Sequence, residues 1–316
     1  MTTQGRAAIN LRTLALLYIS LQIILAVSLV LPQSRLDQQI LEEFQQGHYL
    51  KASELAQKAV QQDSSNAVYQ ELYGMVLAAL GKTSEAEEHL RKAVALRPQQ
   101  AEFHYNLAQH LLDRQEASGL HPFAPSSRRL MEEAISELKS VLEISPDNLG
   151  ARMSLARSYN NLNFSEMALK QYSMVAAREP SRPWLHFQLG MLYSNLSNLE
   201  KAMDEFGREI ALYPDHARAR LELAELLLQS GEAEKAEQHL LQSESELGRP
   251  LKHRVHYLLA KAHRNLGHPE KAFTAVRKSI DLCDSFLYPH YLLAQLYRET
   301  EQLDLARQTL KRVEQL

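Results

Sequence analysis

The sequence predicts an all-α fold built from stacked helix pairs. Alanines and prolines recur at intervals of 34 residues, at Ala168, Ala202 and Ala236 and at Pro146, Pro180 and Pro214. A fixed period of this length indicates a repeated unit of two helices. Glycine and proline number only eleven each, and no run of β-branched residues is bounded by turn residues as a strand would be.

The amino-terminal segment is predicted to cross a membrane. Residues 14–31 read LALLYISLQIILAVSLVL and carry no charge. As a helix they would span ~27 Å, close to the ~30 Å of the hydrocarbon core. Arg6 and Arg12 precede this segment and no acidic residue does, so the positive-inside tendency puts residues 1–13 in the cytosol. We therefore expect an uncleaved signal anchor and a translocated periplasmic or extracytoplasmic remainder.

Two other interpretations of this segment stay open. Ala26, Val27 and Ser28 offer small residues at which a signal peptide is cut, and the protein would then be secreted. The apolar run continues through Leu31, which argues against cleavage. Alternatively, the segment is an apolar helix buried within a soluble fold.

Close helix packing explains why a glycine interrupts an apolar helical pattern. Gly190 lies in such a pattern, where glycine costs about 1 kcal/mol relative to alanine. Two antiparallel helices are too small to bury their own apolar faces and must stack on further copies. Only a small side chain fits where the helices cross closely, so we expect Gly190 on a first helix to face Ala202 on a second. Pro214 then ends the second helix.

These features resemble the tetratricopeptide repeat family, whose unit has the pattern W-x2-L-G-x2-Y…A-x3-F…P. The segments WLHFQLGMLY, KAMDEF and YP supply six of its residues: Leu189, Gly190, Tyr193, Ala202, Phe206 and Pro214. His186 holds the family's tryptophan place, and Trp184 lies two residues earlier. The resemblance covers nearly everything after Pro32 and implies a right-handed α-solenoid.

Eight such units keep one register over residues 33–316. The predicted units are 33–66, 67–100, 101–148, 149–182, 183–216, 217–252, 253–286 and 287–316. The first unit lacks the glycine and the proline, as terminal capping repeats often do. Ser34 and Asp37 form a predicted capping pair at its start.

The third unit carries an insertion of fourteen residues. Ala108 and Ala134 are 26 residues apart, rather than 12, and the excess falls at RQEASGLHPFAPSS, residues 114–127. The glycine and two prolines in this stretch predict an irregular loop between the two helices. The loop is either a tolerated surface insertion or a contact for a partner.

Composition and motifs argue against catalysis, a metal centre and nucleic-acid binding. The 35 basic side chains are balanced by 38 acidic ones, without the basic face that phosphate backbones require. Cys283 is the only cysteine. His253, His256 and His263 share a helical face, but two of them hold places where the family packs aromatic residues. No HExxH, GxSxG, Walker or GxGxxG pattern occurs, so we predict no enzyme activity, cofactor or metal.

The resemblance implies a concave groove lined by the exposed positions of the first helices, which contact peptides or partner helices. Amides can pair with a peptide backbone, aromatic rings supply buried area, and arginines bind carboxylates. By register, fourteen residues are predicted to line the groove: Tyr105, Asn106, Gln109, Arg157, Asn160, Asn161, Phe187, Met191, Asn195, Tyr257, Lys261, Arg264, Tyr291 and Arg298. The stretch from Tyr105 to Asn195 is the predicted main surface.

The sequence therefore predicts a non-catalytic scaffold that binds a peptide or partner protein in this groove. With a membrane anchor, the chain resembles bacterial envelope proteins of the family that assist assembly of cytochromes, pili or lipopolysaccharide machinery, and membrane-associated complex assembly is the expected role. The alternative is a soluble or exported solenoid that self-associates and binds no peptide.

Overall fold

The computed structural model describes residues 34–315, which form sixteen α-helices and no strand. The helices come in eight consecutive pairs, each consisting of a first and a second helix joined by a turn. The pairs are α1 Arg35–Gln45 and α2 Tyr49–Gln62, α3 Ala67–Ala79 and α4 Thr83–Leu96, α5 Ala101–Ala117 and α6 Pro125–Ile144, α7 Leu149–Asn161 and α8 Ser165–Ala176, α9 Leu185–Asn195 and α10 Leu199–Leu212, α11 Ala217–Gln229 and α12 Ala233–Glu244, α13 Arg249–Asn265 and α14 Pro269–Leu282, and α15 Leu287–Glu299 and α16 Leu303–Val313.

The chain divides within α8 into two compact units, Met1–Gln171 (unit 1) and Tyr172–Leu316 (unit 2). Inside each unit, every second helix also packs on the first helix of the next pair, so apolar faces that one pair cannot bury alone are covered by its neighbour. The predicted all-α class is confirmed for residues 34–315. The exact repeat boundaries and the right-handed twist stay predictions.

The predicted cap opens the first helix. The Ser34 hydroxyl accepts the Asp37 N–H at 3.1 Å, and the Ser34 N–H donates to Asp37 Oδ2 at 3.0 Å. This reciprocal capping box satisfies backbone donors that the first turn of α1 cannot pair internally.

Close packing at Gly190 is present, but its main neighbour is not Ala202. A Cβ at position 190 would lie 2.6 Å from Cε1 of Phe206. Ala202 is fully buried one turn earlier on the same second helix. In unit 1, a Cβ on Gly74 would lie 2.9 Å from Cγ of Leu90. Glycine therefore makes room for a large side chain of the second helix rather than for a small one.

In five of the pairs, a hydrogen bond joins the first helix to the loop that precedes it. The donor is a side chain, and the acceptor is the backbone carbonyl six residues earlier: Gln70 to Ser64, His104 to Pro98, Arg152 to Pro146, His186 to Pro180, and His290 to Asp284. These donors occupy the place of the family's tryptophan. Each of them donates a hydrogen bond to a backbone carbonyl that lies outside the helices and has no helical partner. His104, His186 and His290 therefore have a structural role.

Half of the insertion in the third pair is helical, which corrects in part the loop predicted over residues 114–127. Only Ser118–Ala124 lie outside helices, because α5 continues to Ala117 and α6 begins at Pro125. α5 has 17 residues and α6 has 20, compared with 13 in α3 and 14 in α4. Proline is favourable at the first helical position. Gln115 and Ser127, both buried, share a hydrogen bond of 2.9 Å that joins the added turns.

None of the helices between residues 34 and 315 has the combination of length and apolarity that crossing a membrane requires. The predicted transmembrane segment, residues 14–31, lies outside the described residues.

Replacing Gly190 with alanine is expected to lower the melting temperature. The new Cβ would lie 2.6 Å from a ring carbon of Phe206. Because that ring is almost completely buried, overpacking is expected to cost about 1–3 kcal/mol. The better helix propensity of alanine offsets only about 1 kcal/mol of this.

Gly207→Ala is the matched control for this variant. Gly207 lies inside α10, and a Cβ there would meet no atom within 4 Å. Thermal denaturation followed by circular dichroism should show a raised melting temperature for Gly207→Ala and a lowered one for Gly190→Ala. A rise in both variants would contradict the close contact with Phe206.

Candidate partner-binding surface

The first helices of unit 2 are joined to one another by side-chain contacts. The guanidinium carbon of Arg218 on α11 lies 5.4 Å from the ring centroid of Phe187 on α9. Arg254 on α13 donates two hydrogen bonds to Glu222 on α11, at 2.9 and 2.8 Å. We call the surface formed by Trp184, Arg218, Tyr257, Lys261, Tyr288, Tyr291 and Arg298 the first-helix face of unit 2.

Trp184 is held in a strained conformation at one end of this face. Its φ of 66° is in the left-handed region, which non-glycine residues seldom adopt. Its side chain is 53% exposed, and its ring centroid lies 4.1 Å from that of His216. Such strain persists only where the surroundings enforce it, and it is frequent at binding sites.

The buried carboxylate of Glu209 on α10 enforces this conformation. Its Oε1 accepts the Trp184 N–H at 3.0 Å, and its Oε2 accepts the Phe187 N–H at 3.2 Å. His216 Nδ1 lies 2.8 Å from Oε1. Burial acts to raise the pKa of Glu209, but these hydrogen bonds outweigh it and bring the pKa below its ordinary value. The charged carboxylate therefore caps α9, which has no cap from its own N-cap side chain.

A second group of aromatic rings lies between α13 and α15. Tyr257 is partly buried, and its ring centroid lies 5.5 Å from that of Phe286 and 6.2 Å from that of Tyr288. The ammonium of Lys261 lies 5.7 Å from the Tyr257 ring centroid. Burial, with help from Glu225 and Tyr288, raises the pKa of Tyr257, so its phenol keeps its proton. Tyr288 is 64% exposed and free to contact a partner.

Taken together, the first helices of unit 2 carry an excess of basic residues, all of which lies on α13. Together α9, α11, α13 and α15 contain eight lysine or arginine residues and three acidic residues. The second helices α10, α12, α14 and α16 contain nine basic and ten acidic residues. In unit 1 the balance is reversed, because first helices α1, α3, α5 and α7 contain four basic and seven acidic residues. The net charge of −3 for the whole chain does not reveal this difference in charge between the first helices of the two units.

The acidic side chains of these basic helices are already paired. Glu222 and Glu225 both bind Arg254, and Glu299 binds Arg264. Arg218, Lys261 and Arg298, in contrast, form no ion pair with a carboxylate of the described residues. Three cations on this face are therefore available to a ligand.

The predicted groove residues of unit 2 are only partly where they were expected. Asn195, Arg264, Tyr291 and Arg298 are exposed, and Met191, Tyr257 and Lys261 are partly buried. Phe187, predicted to be exposed, is only 4% exposed. It packs against Phe206 at a ring-centroid distance of 5.8 Å, and Trp184 and Arg218 cover it from outside. Phe187 thus supports the face rather than lying on it.

In unit 1, Asn106 was predicted to be an exposed groove residue, but it is buried. It is 9% exposed, and its side-chain amide donates to Oε1 of Glu71 at 2.6 Å. Burial raises the pKa of Glu71 to about 8, so this carboxyl is protonated at neutral pH. Asn106 follows Tyr105 by one residue, about 100° around the helix, and that rotation turns it toward α3.

The remaining predicted residues of unit 1 make contacts within the repeats. Gln109 donates to the Ser154 hydroxyl at 2.7 Å, and Arg157 lies 3.8 Å from Glu116. Tyr105, Asn160 and Asn161 are partly buried. Apart from Arg157, none of these five residues is strongly exposed.

Sequence reasoning missed Trp184, Arg218 and Tyr288. All three occupy the second position of a predicted unit, just before or at the start of a first helix. The groove prediction considered only positions inside the first helices and therefore did not include them. Counting charges separately for first and second helices would have revealed the basic face. Among residues 34–315, no three histidine, cysteine or acidic side chains are grouped to hold a metal ion.

Comparison with protein families identifies tetratricopeptide repeats in both units. A model described as TPR repeat matches residues 74–112, and models described as Tetratricopeptide repeat match residues 197–246, 253–286 and 288–316. Repeats of this kind form scaffolds for protein–protein interaction and are generally non-catalytic. No protein of curated function matches the chain.

Solved structures share the fold. PilF from Pseudomonas aeruginosa is similar with a TM-score of 0.56 and 18% identity, over 74% of this chain and 99% of that one. A tetratricopeptide repeat protein from Parabacteroides merdae has a TM-score of 0.53 and 16% identity, over 83% and 96%. A chain of the APC/C hetero-tetramer Cut9–Hcn1 has a TM-score of 0.51 and 17% identity, over 90% of this chain and 52% of that one.

Glu209→Gln is expected to destabilise unit 2 by about 1–3 kcal/mol, because the amide replaces one acceptor oxygen with a donor facing buried N–H groups. The folded pKa of Glu209 is lowered, so the stability it supplies is complete above its unfolded value of 4.5 and is lost as pH falls through the folded pKa. The difference between wild type and variant in urea denaturation should therefore be largest near neutral pH and shrink in acid.

Glu200→Gln is the control for this variant, since Glu200 is exposed on the same helix. It should leave the denaturation midpoint nearly unchanged at every pH. A Glu209→Gln variant as stable as Glu200→Gln at neutral pH would show that the carboxylate does not hold the start of α9.

Proposed function

We propose that the protein is a non-catalytic scaffold that binds an extended segment of a partner protein along the first-helix face of unit 2. The observation that carries this proposal is the exposure of aromatic side chains on that face. Trp184, Tyr288 and Tyr291 are 53%, 64% and 47% exposed. Exposed aromatic side chains supply large contact areas at small entropic cost, and they are enriched at interfaces.

The fold supports this proposal because it occurs in protein complexes. One similar structure is the APC/C hetero-tetramer Cut9–Hcn1. Successive first helices in unit 2 present side chains at regular spacing, which suits a ligand in an extended conformation. The predicted main surface, from Tyr105 to Asn195, is replaced in this proposal by the region from Trp184 to Arg298, because Asn106 and Phe187 are buried.

We also propose that residues 14–31 anchor the chain in a membrane, with residues 1–13 in the cytosol and the repeats translocated. The support is the uncharged apolar run with two preceding arginines. A scaffold held at a membrane surface would act in the assembly of membrane-associated complexes.

Site-specific photo-crosslinking tests the binding face. A photoreactive amino acid at position 288, on the first-helix face, should capture a partner in cells. The same residue at position 241, which holds a 53% exposed leucine on second helix α12, should capture far less. Capture at position 241 alone would refute the proposed face. Crosslinks joining two copies of this chain would instead favour a self-associating solenoid, which the exposed leucines of α16 could support: Leu303, Leu305 and Leu310.

Alkaline carbonate extraction tests the anchor. The full chain should stay in the membrane pellet, and a chain beginning at Ser34 should move to the supernatant. A mature amino terminus found after Ser28 would show cleavage, and full-length protein in the supernatant would exclude anchoring by residues 14–31.

A further inference from the structure

We propose that the segment bound by the first-helix face of unit 2 is acidic, with apolar residues between its carboxylates. This inference rests on the proposed function and adds the chemistry of the ligand. It follows from three features of unit 2: the charge of the first helices, the position of the available cations, and the contacts that restrain Arg218, Lys261 and the Trp184 backbone.

The charge of the first helices favours a negative ligand. Together α9, α11, α13 and α15 contain eight basic and three acidic residues, and all three acidic residues are bound by Arg254 or Arg264. A basic ligand would have to displace an existing ion pair to reach a carboxylate. An acidic ligand finds cations that form no ion pair within residues 34–315, and it is attracted from a distance by the excess positive charge.

Two of the three available cations lie over an aromatic ring. Arg218 lies over the ring of Phe187, and Lys261 lies over the ring of Tyr257. On α15, Arg298 follows exposed Tyr291 by seven residues, which places both on one side of that helix. A segment that alternates carboxylates with apolar side chains can pair with the cations and cover the rings at once.

Arg218 and Lys261 are held in place before a ligand arrives. Contact with an aromatic ring restricts the long side chains of Arg218 and Lys261, and Glu209 fixes the backbone of Trp184. Binding therefore loses less side-chain entropy than it would with freely moving lysines and arginines. An ion pair formed on such a surface gains more than one between mobile side chains.

Defined peptides test the inference, with the full-length protein in detergent. The probes are three synthetic peptides of about twelve residues, long enough in extended form to reach ~40 Å. They repeat the sequence X-Leu-X-Ser, with glutamate, glutamine or lysine at X. Trp184 is the only tryptophan, so its fluorescence reports binding at the face, and titration calorimetry measures affinity independently of that signal.

The glutamate peptide should bind, and the glutamine and lysine peptides should bind at least about tenfold more weakly. Raising the NaCl concentration from about 50 to about 500 mM should weaken binding of the glutamate peptide, because salt screens exposed charges. The double variant Arg218→Gln with Lys261→Gln should lose about tenfold in affinity for it.

The double variant Lys201→Gln with Arg277→Gln is the matched control. Both side chains lie on second helices and over aromatic rings, with Lys201 5.4 Å from Tyr193 and Arg277 5.6 Å from Phe273. Each double variant removes two positive charges, so an effect of net charge alone would lower the affinity equally in both. The control should keep nearly all of the affinity.

Several results would overturn the inference. These are equal affinity for all three peptides, no binding of the glutamate peptide by either method, equal losses in the two double variants, or displacement of the peptide by single-stranded DNA at similar concentration. A salt-sensitive dimer that loses its stability in Arg218→Gln with Lys261→Gln would assign the face to a second copy. If photo-crosslinking at position 288 still captures a partner, the proposed function survives these failures; if it does not, both proposals fail.

Discussion

The close approach of each first helix to its own second helix is the contact on which the rest of unit 2 depends. At Gly190 the absence of a side chain lets the ring of Phe206 lie where a Cβ would be only 2.6 Å from it. Phe206 is then buried among the first and second helices and supports Phe187, 5.8 Å away between ring centroids. A helix penalty of about 1 kcal/mol at one glycine is thus offset by the burial of a large aromatic side chain.

The candidate binding surface is built directly on this core. Phe187 forms a base that Trp184 and Arg218 cover, and Glu209, three residues after Phe206, fixes the Trp184 backbone by a hydrogen bond. Buried residues of this helix pair therefore fix the positions of the side chains that face solvent. Rigid placement of this kind is what allows a few exposed aromatic and cationic groups to contribute strongly to binding.

Much of the fold follows from the sequence pattern, whereas the site follows from it only in part. The 34-residue period predicts the alternation of first and second helices, and Ser34 with Asp37 predicts the first cap. Residues 114–127 were predicted to form a loop because a glycine and prolines interrupt the pattern, yet half of them extend two helices. Proline at a first helical position is compatible with a helix, and the buried pair Gln115 and Ser127 stabilises the added turns.

The sequence by itself determined the all-helical class, the repeat and the small residues where helices cross, because these depend on spacing along one chain. Only the tertiary structure decided which groove positions reach solvent. Asn106 and Phe187 lie at groove positions by register, but a neighbouring Glu71 binds the first, and Phe206, Trp184 and Arg218 enclose the second. Exposure depends on side chains that are distant in sequence, so periodicity cannot specify it. The same is true of the ion pairs that occupy Arg254 and Arg264, while Arg218, Lys261 and Arg298 form none within residues 34–315.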